Sequence, residues 1–176
     1  MYMSSQLIIK LCVYLSLTIG FPASAQNLGG GIRTVLGEEN PNYVSSIVSP
    51  DGSGLPRGSG TAIEGAKIYR EKCASCHGKD GEQMGNQLVG GQESLASSRP
   101  LKTVGSYWPY ATTLFDYIAR AMPFDKSKSL TSNETYALSA YILVLNGILK
   151  DNAILDERSL PQVIMPNSEG FVENIH

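Results

Sequence analysis

The stretch that decides the reading is Cys73-Ala74-Ser75-Cys76-His77. Two thiols three residues apart lie on one turn of helix, so each can form a thioether to one vinyl group of the same porphyrin. The imidazole of the next residue then lies under the iron as its proximal ligand. C-x-x-C-H is thus the attachment signature of haem c, with Cys73 and Cys76 as the covalent anchors and His77 on the metal. A zinc site needs a second ligand pair. Outside the motif there are only Cys12 and His176, and neither is placed to help. A redox C-x-x-C would sit in a βαβ context, which the flanking sequence lacks. No second C-x-x-C-H exists, so one haem c is expected.

Upstream of the motif, Thr61 to Cys76 reads as the first helix. Thr61 with Glu64 three residues on forms a capping box. Ala62, Gly65, Ala66, Tyr69 and Cys73 recur at spacings of three and four and make one apolar face. A small residue and an aromatic one turn apart, Gly65 and Tyr69, allow another helix to cross closely. The partner is the strongest helix, Thr131 to Asn146. Thr131 and Glu134 form its capping box and Gly147 suits its C′ position. Its apolar face comprises Tyr136, Ala140, Tyr141, Val144 and Leu145.

Between these helices, Gly78 to Arg99 is a glycine-rich loop. A carbonyl in this loop, near Leu88 to Gly91, is expected to accept the Nδ1 proton of His77. Leu101 to Tyr110 packs three aromatics into ten residues. Trp108 reads either as a haem-edge residue whose indole bonds a propionate or as plain core. Tyr107, Lys102, Thr103 and Ser106 are the neighbours that could pack on the haem or neutralise its propionates. Thr112 to Met122 is a short helix capped by Thr112 or Thr113, with Asp116 in the first turn. Leu114, Tyr117, Ile118 and Ala121 form its inner face, and it ends where Pro123 forbids continuation. Met122 is the sixth-ligand candidate; Met84, Met165 and His176 are its rivals, because methionine is most often core filler.

The ends are less regular. Residues 1–25 read as a secretory leader. Lys10 precedes the apolar run Leu11 to Phe21, and Ala23-Ser24-Ala25 is an A-x-A cleavage site. An uncleaved anchor is the other reading, although the run is short of the roughly 20 residues a span needs. Cleavage would leave no stable membrane span and would remove Cys12. Residues 26–59 form an arm without helical period, punctuated by glycine and proline. Apolar residues such as Val44 and Val48 suggest anchoring contacts, on this chain or on a partner. The haem domain then covers 60–149. The tail, 150–176, is broken by Pro161, Pro166 and Gly170 and reads equally as an extended strap on a partner or as a disordered segment. The formal net charge of −2 argues against nucleic acid and against a basic membrane-binding surface. No Walker loop or catalytic serine set is present, and no residue is assigned a catalytic role.

Several stretches together resemble one family. They are Gly60-Thr61 to Gly65, Tyr69, Cys73 to Gly78, the run Lys102 to Ile118, and Arg120-Ala121-Met122-Pro123-Phe124. Leu130-Thr131, Tyr136-Ala137-Leu138, Leu145-Asn146-Gly147, Met165-Pro166-Asn167 and Gly170-Phe171 complete the set. The resemblance, over roughly residues 50 to 172, is to the cytochrome c subunit of sulfite or sulfur dehydrogenases. These include the cytochrome component of the bacterial sulfur-oxidation (Sox) thiosulfate-oxidising system. The haem motif is common to all c-type cytochromes; the Lys102 to Phe124 and Met165 to Phe171 segments are the distinctive ones.

The resemblance implies an all-α, class I cytochrome c fold. Three to five helices would surround one covalent haem, with an extended N-terminal arm and a C-terminal tail. It implies His77 and Met122 as axial ligands. It implies a periplasmic electron-transfer role, taking electrons from a molybdenum-cofactor subunit that oxidises a sulfur compound. They would pass to a soluble cytochrome c or an oxidase of the respiratory chain. This chain departs from the pattern in three ways. It has no proline between His77 and Pro100 to supply the usual acceptor for His77, it carries Gln83 where many cytochromes have glycine, and it has one haem motif where some members have two. The alternatives are a generic soluble shuttle for another dehydrogenase, or a haem enzyme or sensor with an open sixth site.

Overall fold

A computed structural model describes residues 47–171, which lie within the compact unit Glu39–His176. The leader, most of the arm, Cys12 and His176 lie outside the described residues. In chain order the elements are β1 (Ser59–Thr61), α1 (Ala62–Lys72), α2 (Ala74–His77), α3 (Ala111–Ala121), α4 (Ser132–Leu145) and β2 (Ile154–Asp156). Single 3-10 turns cover Phe124–Lys126 and Leu160–Gln162. The fold is mostly helical, as expected, with one small addition. The strands β1 and β2 pair antiparallel in the register Ser59↔Asp156, Gly60↔Leu155, Thr61↔Ile154.

Both capping boxes form. The Glu64 N–H donates to Thr61 Oγ1 at 3.1 Å while the Thr61 N–H donates to Glu64 Oε2 at 2.9 Å. Thr131 and Glu134 repeat the exchange at 3.2 and 2.9 Å. Each box satisfies two N–H groups that a helix start would otherwise leave unpaired. At the other end of α4, Gly147 adopts φ +69, which favours a residue without a Cβ. The Gly147 and Ile148 N–H groups return to the Val144 and Leu143 carbonyls at 2.8 and 3.0 Å, a Schellman closure.

The first helix is shorter than its sequence suggests. It stops at Lys72, Cys73 takes φ −124, and a separate single turn, α2, follows. The break re-aims the chain at the haem motif.

The helix α4 is the centre of the described domain. Residues Thr135 to Ala140, with Ile142 and Leu143, are buried around its whole circumference. Thr135 and Ser139 tolerate this because their hydroxyls donate to the carbonyls of Thr131 and Thr135, at 2.9 and 2.8 Å. On one side α1 crosses it. A Cβ on Gly65 would overlap the Ala137 carbonyl and press on the Tyr141 side chain. Tyr69 is fully buried there, its ring 5.3 Å from that of Tyr141. Lys72 also pairs with Glu134 at 2.6 Å across the crossing. On another side α3 packs Phe115 against Tyr136 at 4.5 Å.

The α3 helix is rotated from expectation. Ala111, Thr112, Leu114, Phe115, Ile118 and Ala119 are buried, while Tyr117 is half exposed. Its N-cap is Tyr110 with no side-chain cap, so neither threonine caps it. Asp116 lies beyond the first turn, where it accepts from Arg120 Nε at 2.8 Å and from the Val48 N–H at 3.2 Å.

The described parts of arm and tail pack on this same domain. Val48 is buried, and the Tyr136 hydroxyl donates to the Pro56 carbonyl at 2.8 Å. In the tail, Leu155, Leu160 and Met165 are buried. Full burial of such side chains contributes about 2 kcal/mol each. Tyr110 bridges Ile164, and Asn167 Nδ2 donates to the Tyr107 carbonyl at 2.7 Å. The tail is thus a strap on its own domain as far as Phe171.

Candidate functional site

The site grows from the joint between α1 and α2. Cys73 stands at the break, half-buried against the core, and Cys76 is exposed one turn on. Among the described residues neither forms a disulfide. Burial pushes the Cys73 thiol up to about 11, with Cys76 adding to the rise and Lys72 opposing it. The group is therefore a protonated thiol at neutral pH, packed among apolar neighbours.

His77 ends the turn. Its Nδ1 lies 2.8 Å from the Asn86 carbonyl oxygen. A carbonyl only accepts, so Nδ1 carries the proton, and in the neutral ring Nε2 keeps a lone pair. Among the described residues Nε2 has no hydrogen-bond partner. The acceptor is two residues earlier than the expected span, Leu88 to Gly91. It is a backbone atom, and loop curvature alone decides which carbonyl reaches the ring.

That curvature is tightly specified. The Gln83 N–H donates to the His77 carbonyl at 3.0 Å, and the Leu88 N–H to the Gly81 carbonyl at 2.8 Å. Asn86 Nδ2 reaches the Cys76 carbonyl at 3.3 Å. The Tyr69 hydroxyl donates to the Gly78 carbonyl at 2.9 Å, tying the loop to the helix crossing. Burial holds that phenol neutral, up to about 12, so it remains a donor.

The remaining predicted residues divide clearly. Met122 caps α3, half-buried against the core, its N–H bonded to the Ile118 carbonyl at 3.0 Å. Met165 is 1% exposed within the core and Met84 is 86% exposed in the loop. Of the described methionines considered, Met122 is the one neither sealed in nor left in solvent. Trp108 is half-buried, edge-on to Tyr117 at 5.6 Å, and its indole N–H has no partner among the described residues. Lys102 Nζ lies 4.8 Å from the Tyr107 ring centre, and Tyr107 meets Phe171 edge-on at 5.3 Å.

Thr103 and Ser106 are a correction. Both are buried, and their hydroxyls donate to the Gly90 and Leu101 carbonyls, each at 2.6 Å. They lock a turn beneath the aromatic segment and have no proton left for a propionate. Sequence reasoning also missed Asn86, because a carbonyl acceptor carries no side-chain signal.

These residues fit a haem held by C-x-x-C-H. Two unpaired thiols and a histidine with an uncommitted Nε2 stand on one turn. Ile68, Leu88, Trp108 and Met122 are apolar groups that the core leaves half-covered. A bare metal site does not fit, since no cluster of three or more His, Cys, Asp or Glu side chains gathers among the described residues. Nor is any helix among them long and apolar enough to cross a membrane.

Residues 60–142 match the family described as Cytochrome C oxidase, cbb3-type, subunit III. A chain in the crystal structure of the sulfane dehydrogenase SoxCD from Paracoccus pantotrophus is similar at 42% identity and a TM-score of 0.71. The alignment covers 74% of this chain and 65% of that one, so this chain spans about two thirds of its length. Among curated proteins nothing matches.

Proposed function

Starting from a cytochrome c family domain over residues 60–142, we propose an exported electron-transfer protein that accepts electrons from a sulfur-oxidising dehydrogenase. Cys73 and Cys76 would hold one haem c through thioether bonds, and His77 Nε2 and Met122 Sδ would be the ligands of its iron. Bound in this way, the haem supplies a one-electron Fe(III)/Fe(II) couple.

The rest is work for this chain. The Asn86 carbonyl keeps the His77 proton on Nδ1, which leaves Nε2 for the iron and makes the ring a better donor. Met122, held at the α3 terminus, would offer its thioether to the iron, and a methionine ligand favours a high potential. The Trp108 indole, unpartnered among the described residues, suits a propionate oxygen, and Lys102, over the Tyr107 ring, would supply positive charge. The donor is a molybdenum-cofactor subunit oxidising a reduced sulfur compound, and the acceptor is a soluble cytochrome c or oxidase. The location is the periplasm, after removal of residues 1–25.

The observation that carries this reading is the α2 turn. It presents two free thiols and an Nδ1-protonated imidazole together. The 42% identity to a chain of a sulfane dehydrogenase supports the choice of partner. The test is native purification from the periplasmic fraction, with haem reduction followed after adding sulfite or a sulfane-sulfur donor. Co-purification with a molybdenum protein and rapid reduction support the reading. A monomer reduced by ascorbate but untouched by sulfur compounds overturns the partner. A ferric spectrum lacking the iron–thioether charge-transfer band, with ready cyanide binding, overturns Met122 ligation.

A further inference from the structure

Asn146 closes α4 and is 8% exposed. Its Nδ2 donates to the Leu88 carbonyl at 3.1 Å and to the Ile142 carbonyl at 2.9 Å. Its own backbone carbonyl accepts from Gln92 Nε2 at 3.0 Å. One residue therefore grips the loop at 88 and again at 92. Two residues before Leu88 stands Asn86, whose carbonyl holds the His77 Nδ1 proton.

The other amide atom is informative in a different way. Asn146 Oδ1 is buried and has no hydrogen-bond partner among the described residues. It faces Gly105, in the space a Cβ there would occupy. A buried acceptor without a partner costs free energy. An apolar side chain of similar size would close α4 without that cost. What the fold gains from Asn146 is the pair of N–H donors aimed at carbonyls, one of them in the histidine-bearing loop.

We infer that Asn146 is the positioning residue of the proximal histidine. By fixing Leu88 it holds the Asn86 carbonyl on the Nδ1–H of His77, and so sets the ring orientation and the electron density offered to the iron. This rests on the proposed ligation of haem by His77. Partners of this outer kind tune ligand basicity and potential. A firm Nδ1–H bond makes imidazole a stronger donor and favours Fe(III). Loosening the bond therefore raises the potential.

The test compares the full-length, haem-loaded wild type with Asn146→Ala, Gln92→Ala and Asn167→Ala. Asn167→Ala is the control, since it cuts a comparable bond, Asn167 Nδ2 to the Tyr107 carbonyl, away from the loop. Two quantities are read: exchange of the His77 Nδ1 proton with solvent in the reduced protein by NMR, and the midpoint potential. Asn146→Ala is expected to speed exchange roughly tenfold, the opening expected when one buried hydrogen bond is lost, and to raise the potential. Gln92→Ala moves both the same way by less, and Asn167→Ala moves neither.

The inference is overturned if Asn146→Ala and Asn167→Ala lower stability alike while exchange and potential stay at wild-type values. Should Asn146→Ala fail to fold, Gln92→Ala decides on the same two readings. A wild-type spectrum without a histidine-ligated low-spin iron overturns the proposed function as well. An intact wild-type spectrum with unmoved readings in the loop variants overturns this inference alone.

Discussion

The α1–α4 crossing and the Cys73–Asn86 turn adjoin one another along the chain, yet they are built by opposite rules. At the crossing every volume is spoken for. Gly65 meets the Ala137 carbonyl, Tyr69 is sealed, and Tyr141 closes the seam. At the turn the functional atoms are left uncommitted. Among the described residues the two thiols form no disulfide, Nε2 is unengaged, and Leu88, Trp108 and Met122 are only half-covered. Close packing holds the first region, while backbone carbonyls hold the second, at Asn86 and at Gly78. The crossing is complete in itself. The turn is completed by what it binds.

The largest test of this contrast is Gly65→Leu. The new side chain would overlap backbone, which cannot yield as a flexible side chain does. Overpacking of this kind should cost about 3 kcal/mol or more, read as a fall in the urea midpoint or as loss of soluble protein. A variant as stable as wild type would mean that the crossing has room, and the contrast would collapse.

Met122→Ala probes the other region. Only half-buried, the side chain should contribute about 1–2 kcal/mol to stability, below the range for fully buried methionine. Its larger effect falls on the proposed iron, which should bind cyanide in the variant and resist it in the wild type. Equal cyanide binding by both would remove Met122 from the ligand set.

Tyr69→Phe sharpens the comparison, because this residue belongs to both regions. Its ring packs in the crossing and its hydroxyl holds the turn through Gly78. Keeping the ring and deleting the hydroxyl should cost about 1 kcal/mol, seen as a shifted urea midpoint with unchanged helical circular dichroism.

The smallest effect is the pH dependence of Glu134. Burial pushes its carboxyl upward, but the Lys72 ammonium and the Thr131 donors outweigh burial and hold it below the ordinary 4.5. The native state is then the more readily ionised one. Its contribution is present above pH 4.5 and is lost as pH falls through the lowered native value. Glu134 is part-buried, but solvent still reaches both ends of the Lys72–Glu134 pair and screens it, so the contribution should stay below about 1 kcal/mol. Glu134→Gln should flatten the acid limb of a stability–pH profile and leave the neutral region nearly level. An unchanged acid limb would show that the crossing is held by packing alone.

Much of this arrangement was legible in residues that act over short range. The Thr61–Glu64 and Thr131–Glu134 boxes follow from spacing, since each pairs a side chain with backbone three residues away. Gly65 and Tyr69 announced a close crossing, because no other placement makes use of that pair. The α3 face was misjudged by a partial turn, and Tyr117 lies outside while Phe115 lies within. The expected set Leu114, Tyr117, Ile118 and Ala121 has the same three-and-four spacing as the buried Ala111, Leu114, Phe115 and Ile118, so spacing alone could not choose, and Phe115 packing on Tyr136 did. Thr103 and Ser106 read as candidate propionate partners, yet they are buried staples, a distinction set by how the loop folds over them.

The chemistry of the turn is local: two thiols and an imidazole at helical spacing can be read from five consecutive residues. Which carbonyl holds His77, the tie from Asn146 to the loop, and the packing of the tail to Phe171 on its own domain emerge only when the chain has folded. The physical reason is the same in each case. A backbone acceptor looks alike at every position, and an amide side chain can serve many partners. The choice among them is made when distant segments close on one another, and residues 86, 105 and 146 meet only then.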